Sequence, residues 1–104
     1  MEKVIRDGKV AVLYSPGYGA GWFTWNTDHK DLLFHPDLVV LVEEDKRDEI
    51  TSEFVQNLLG VEYVYCGGAE QLEIEWLEVG TSFRVDEYDG DESIITVEEL
   101  VFTA

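Results

Sequence analysis

The sequence predicts a single small α+β domain over residues 1–104, a mostly antiparallel sheet of about five strands with two helices on one face. Three observations predict it. The apolar run Val10-Ala11-Val12-Leu13-Tyr14 is stopped by Ser15-Pro16-Gly17; Ile50, Phe54, Val55, Leu58 and Leu59 recur at helical spacing before Gly60; and from Val61 the apolar period changes to two. At 104 residues the chain holds one core and buries roughly 60–65% of the surface its unfolded form exposes.

Taken in order, Lys9 to Tyr14 reads as a buried strand because four successive residues are apolar. Pro36 and Asp37 after His35 suit a first helical turn, since proline presets φ and an acid favours the positive helix end. The segment Leu38 to Glu44 is therefore expected to be helical, with a strand as the alternative for its apolar middle. Asp45 is placed to cap a second helix that Gly60 ends in the left-handed conformation. Tyr63-Val64-Tyr65-Cys66 reads as a short strand closed by Gly67-Gly68, and Leu72-Glu73-Ile74-Glu75-Trp76 alternates, putting Leu72, Ile74 and Trp76 on one face. Folding back over Val79-Gly80 would set Trp76 opposite Phe83, Ile74 opposite Val85 and Glu75 opposite Arg84. Asp89-Gly90 is a strong hairpin signal leading into Ile94-Ile95-Thr96-Val97, where Ile94 and Ile95 compete for the inner face. No repeat, linker or low-complexity tract interrupts this order.

The formal charge is −16, from 23 acidic and 7 basic side chains, and it is unevenly spread. Residues 1–30 carry +1, residues 31–60 carry −6 and residues 61–104 carry −11. A grip on a nucleic-acid backbone needs many Lys and Arg to neutralise phosphates, so a conventional DNA- or RNA-binding role is discounted. The carboxylates either keep the domain soluble or face a basic partner. For the second role the candidates are Glu73, Glu75, Asp86, Asp89 and Asp91. No apolar run approaches the roughly 20 residues that cross a bilayer, and Met1 to Asp7 lacks the apolar centre of a signal peptide. These features, with the single Cys66, lead to the expectation of a soluble protein of a reducing cytoplasm, with no membrane partner.

The near-neutral third holds the densest motif, Ser15 to Asn26, with three alternate glycines among four aromatics. Glycine lets the main chain turn through positive φ and come close to a partner, while Tyr and Trp offer flat area with a polar edge. Gly17-x-Gly19-x-Gly21 matches neither the dinucleotide fingerprint nor a P-loop. Two readings stay open. Gly17, Tyr18, Gly19, Gly21, Trp22, Trp25 and Asn26 could bind a planar, nucleotide-like ligand by ring stacking, with glycine N–H groups near any phosphate. Alternatively the glycines permit a tight turn while Trp22 and Trp25 plug the core.

Catalytic signals are weak. His29, His35 and Cys66 match no zinc spacing, a Cys66/His pair would need proximity that spacing does not show, and Ser15 lacks the flanks of a nucleophile elbow. Asp86, Glu87, Asp89, Asp91 and Glu92 crowd one hairpin end but miss the EF-hand pattern. No catalytic residue, metal or cofactor is expected.

The segments Val10–Asn26 (VAVLYSPGYGAGWFTWN), Gly67-Gly68 and Gly80–Gly90 (GTSFRVDEYDG) resemble a family of small bacteriophage and prophage proteins. The resemblance covers most of the chain and brings no catalytic residues with it. It implies a phage accessory protein acting in the bacterial cytoplasm. The leading expectation is a non-enzymatic protein that binds and restrains a host factor, such as one of an antiviral defence system. It would do so through its acidic face or by sequestering a nucleotide-like molecule at the Gly/aromatic loop. The alternatives are a small enzyme using Cys66, His29 or clustered carboxylates, and a virion or assembly component.

Overall fold

A computed structural model describes residues 2–96. Strands β1 (Ile5–Arg6) and β2 (Lys9–Tyr14) lead into the Gly/aromatic loop; helices α1 (Pro36–Glu43) and α2 (Ser52–Leu59) follow, then strands β3 (Glu73–Glu78), β4 (Phe83–Tyr88) and β5 (Asp91–Thr96). Single 3-10 turns occupy Lys30–Leu33, Arg47–Glu49 and Ala69–Gln71. The α+β expectation holds, with five antiparallel strands divided between two sheets: β1-β2-β3, and the hairpin β4-β5.

The apolar run of β2 follows from its position, because β2 is the central strand and both of its faces are covered. Ala11 and Leu13 point to one side, where they pack with Leu38, Val39 and Val42 of α1 and Val55 of α2. Ile74 and Trp76 of β3 and the buried Leu72 join this side, the face the alternation assigns to them. Val12 points the other way and packs with Leu33, Leu77, Phe83, Val85 and Ile94, so the β4-β5 hairpin covers the second face. Ile94 thus takes the inner position, opposite Val85, and Ile95 lies opposite Arg84. Val97 lies outside the described residues.

Both helices begin and end on local chemistry. The ring nitrogen Nδ1 of His35 accepts the Asp37 N–H at 3.2 Å, and Pro36 opens α1. Thr51, not Asp45, caps α2: its hydroxyl accepts the Phe54 N–H at 3.1 Å. Asp45 instead turns the chain out of α1 at φ 58°, and the Arg47–Glu49 turn separates it from α2. Gly60 closes α2 at φ 69°, as its sequence position requires.

Two further expectations are overturned. β3 pairs with β2, not β4, in a register that joins Val10 to Leu77, Val12 to Glu75 and Tyr14 to Glu73. Trp76/Phe83, Ile74/Val85 and Glu75/Arg84 are therefore not cross-strand neighbours. Pairing with β2 lets Ile74 and Trp76 extend the apolar side that Ala11 and Leu13 begin. At Val79-Gly80 the chain passes from one sheet to the other, with Val79 N–H bonded to the Gly8 carbonyl. Residues Tyr63–Cys66 form no strand. The side chain of Asn26 does a strand's work there: Oδ1 accepts the Tyr65 N–H at 3.0 Å and Nδ2 donates to the Tyr65 carbonyl at 2.9 Å.

Candidate functional site

The Gly/aromatic loop lies against the tip of the β4-β5 hairpin, and its peptide groups are occupied there. Gly17 N–H donates to Asp91 Oδ1 at 2.9 Å, Gly19 N–H to the Asp89 carbonyl, and Gly21 N–H to the Gly90 carbonyl at 2.8 Å. Backbone meets backbone closely enough that a Cβ on Gly90, itself at φ 87°, would come within 2.8 Å of Ala20 N. Gly21 sits at φ 51° under the Trp25 ring, which a Cβ would strike at 2.1 Å.

Behind this contact is a carboxylate no local pattern distinguishes. Glu92, 2% exposed, accepts the Ser15 N–H on Oε1 at 2.9 Å and, on Oε2, the Phe23 N–H, the Thr24 N–H and the Thr24 hydroxyl at 2.9, 2.8 and 2.8 Å. The loop is an anion cradle in form, but its anion is internal. Hydrogen bonds to a charged acceptor are worth about 1.5–3 kcal/mol each, so Glu92 locks the loop to the hairpin.

This corrects the phosphate reading: the N–H groups of Gly17, Gly19 and Gly21 serve the hairpin. Trp22 is also corrected as a stacking residue. It is fully buried and donates Nε1–H to the Leu32 carbonyl at 2.8 Å, so it plugs the core. Asn26 is buried and braces Tyr65. Of the seven loop candidates, Tyr18 and Trp25 present side-chain surface, 75% and 47% exposed. Tyr18 packs edge-on against Tyr88 of β4, centroids 6.1 Å apart, and Trp25 lies 5.1 Å from Tyr65, whose hydroxyl donates to the Gly19 carbonyl. Exposed Tyr63 shares a 230 Å³ cleft with Trp25, Asn26 and Asp28. Tyr63, Tyr65 and Tyr88 were not singled out from sequence. Their only signal is aromatic content near glycines.

The five acidic candidates divide into three settings. Glu73 and Glu75 are exposed on β3, on the same side as Leu77 and therefore on the side of the sheet that carries the hairpin. Neither enters a salt bridge with a described cation. The Tyr14 hydroxyl donates to Glu73 Oε2 at 3.0 Å, and burial followed by the bond and charge of Glu73 and the charge of Glu75 pushes its pKa up to about 12. Asp89 forms the hairpin turn at φ 48° beside Tyr88. Asp91 is committed to Gly17, and Asp86 to Arg84, Nε to Oδ1 2.7 Å.

Burial pushes the Cys66 thiol up, partly opposed by a hydrogen bond with Ser52, which is the reverse of an activated nucleophile. The cavity beside it is lined by Arg47, Asp48, Ser52 and Glu70 among others, and no histidine lines it. Among the described residues no three His, Cys, Asp or Glu side chains are grouped to hold a metal ion. No helix of the described chain is long and apolar enough to cross a membrane. Comparison with protein-family models, curated proteins and solved structures finds no match, so the functional reading rests on this geometry.

Proposed function

We propose that the protein is a non-enzymatic binding module, a phage accessory protein that occupies a basic surface of a host factor and restrains it. The observation that carries this reading is the unneutralised negative field on the hairpin side of β3. Glu73 and Glu75 have no cationic partner among the described residues, and their charges help to hold the Tyr14 proton. Such a surface steers a positive partner and disfavours nucleic acid. The glycine N–H groups, spent inside the fold, do not support capture of a nucleotide phosphate.

The test is capture from a bacterial lysate on the immobilised protein, beside a Glu73→Lys/Glu75→Lys variant, at low and high salt. The expected outcome is retention of a defined host protein at low salt, released at high salt and lost in the variant. Retention that ignores both salt and charge reversal would exclude the acidic surface as the contact. Circular dichroism of the variant checks that the fold survives, which the exposure of both side chains favours.

A further inference from the structure

We infer that the outer edge of β3 is a docking site for an extended basic segment, which joins the sheet as a further antiparallel strand; that a host factor supplies the segment rests on the reading above. β3 ends the order β1-β2-β3, so one of its edges meets no strand among the described residues. The register shows which groups lie there. Val79 N–H bonds the Gly8 carbonyl at 2.9 Å, and Ala11, opposite Trp76, gives its N–H to the Val4 carbonyl at 3.0 Å, away from β3. An antiparallel ladder alternates bonded and non-bonded pairs, so Glu73, Glu75 and Leu77 turn their peptide groups to β2 while Ile74 and Trp76 turn theirs outward. Among the described residues no hydrogen bond reaches the N–H or C=O of Ile74 or Trp76. The edge is closed at both ends and open between them: the Leu72 carbonyl accepts from Arg47 Nε–H at 2.8 Å, and the Glu78 carbonyl from Thr81 N–H at 3.0 Å.

Those outward peptide groups, two residues apart, are what an added strand bonds, and the side chains around them select it. Glu73 and Glu75 stand on the hairpin side, at the positions where opposed side chains of the new pair come closest, and neither has a described cation of its own. Ile74 and Trp76, half-buried on the other side, offer apolar contact to the residues opposite them. A strand that alternates basic and apolar residues therefore matches both faces. At the Leu72 end, a 440 Å³ depression lined by Asp45, Asp48, Glu70 and Glu73, with Arg47 as its base, carries the acidic lining beyond the edge. Charge decides between occupants. In the register that bonds Ile74 to Trp76 of a second copy, Glu75 would face Glu75, and each copy carries a charge of −16. Residues 97–104 contain Glu98 and Glu99 and no Lys or Arg. Charged side chains on an edge keep copies of a chain apart, and here the same charges admit a basic strand.

The test titrates the acetylated, amidated peptide Lys-Val-Lys-Val-Lys-Val-Lys into isotopically labelled protein and follows the backbone amides by NMR and hydrogen exchange. The expected result is a saturable displacement and slowed exchange of the Ile74 and Trp76 amides, whose N–H groups gain acceptors. Glu75 and Leu77, bonded to β2, exchange slowly with or without the peptide. The same peptide N-methylated at its valines keeps the charge but lacks the donors that meet the Ile74 and Trp76 carbonyls, and it loses the response. Glu73→Gln/Glu75→Gln weakens binding about fivefold. Equal binding of the methylated peptide, or Ile74 and Trp76 amides unmoved by the unmethylated one, would overturn the inference. So would slow exchange of these two amides in the free protein, which would assign the edge to residues 97–104 or, where it grows with protein concentration, to a second copy. The two proposals fail separately: lysate capture lost on Glu73/Glu75 reversal, in a protein whose edge amides ignore the peptide, sinks the edge and leaves the acidic contact standing. An edge that binds the peptide in a protein that captures nothing from the lysate does the opposite.

Discussion

Glu92 illustrates how little a residue's type says about its role. It lies in a run of hairpin acids, yet it alone turns inward and gathers four donors from residues 15–24. Glu92→Gln puts an amide N–H₂ opposite one of those donors and removes the charge that strengthens the rest. The expected loss is about 3 kcal/mol, measured by urea unfolding; a change within experimental error would mean that the loop holds without the carboxylate. Tyr14 gives a second expectation at this scale. Its folded pKa of about 12 lies above the ordinary 10.0, so the folded chain keeps a proton that the unfolded chain releases between those values. The contribution is fully present below pH 10.0 and is lost as pH rises through about 12. In an ultraviolet titration a late-ionising tyrosine component is expected, and Tyr14→Phe should remove it.

At the scale of elements, the parts with local causes are the ones that reading the chain recovers. Helix α2 combines an apolar stripe with Gly60, and the β4-β5 turn is an Asp-Gly pair at φ 48° and 87°. Asp7-Gly8, at φ 52° and 76°, joins β1 to β2 by the same device, but the two-residue β1 is too short to show a period in the sequence. The start of α2 was misplaced since Asp45 and Thr51 are both competent caps, and only Thr51 meets an N–H three residues on. Thr51→Ala is expected to lower stability by about 1 kcal/mol. Thermal unfolding of the variant checks this, and an unchanged midpoint would mean that the Thr51 hydroxyl does not hold the start of α2. Of the candidate site, the exposed aromatics Tyr18 and Trp25 were legible from the Gly/aromatic motif. Tyr63 was not, because it was assigned to a strand that Asn26 replaces.

For the whole molecule, the charge of −16 is spread over a body of 48 × 32 × 23 Å and acts on itself. Its extents compare with the screening length of about 30 Å at 0.01 M salt and exceed the roughly 8 Å at 0.15 M. Repulsion between acids on different elements is therefore felt at low salt and largely removed at physiological salt. The melting temperature should rise by about 5 °C between those conditions, equivalent to about 1 kcal/mol in a chain of this size; a flat response would show that the acids are too dispersed to strain the fold. The same long range makes the field useful for attracting a partner, so stability and association are expected to respond to salt in opposite directions.

Local composition and period by themselves determined the α+β class, the burial of β2, helix α2 and its stop, the last hairpin, and the separation of a near-neutral aromatic loop from an acidic remainder. Each depends on residues within one or two turns of one another. Tertiary structure alone decided which strand β3 joins, that Trp22 goes in and Trp25 stays out, and that the glycine N–H groups grip the chain's own hairpin instead of a ligand. Those outcomes are settled by competition between groups up to 77 residues apart, as Ser15 and Glu92 are, and a buried carboxylate finds its donors only when the sheets have closed around it.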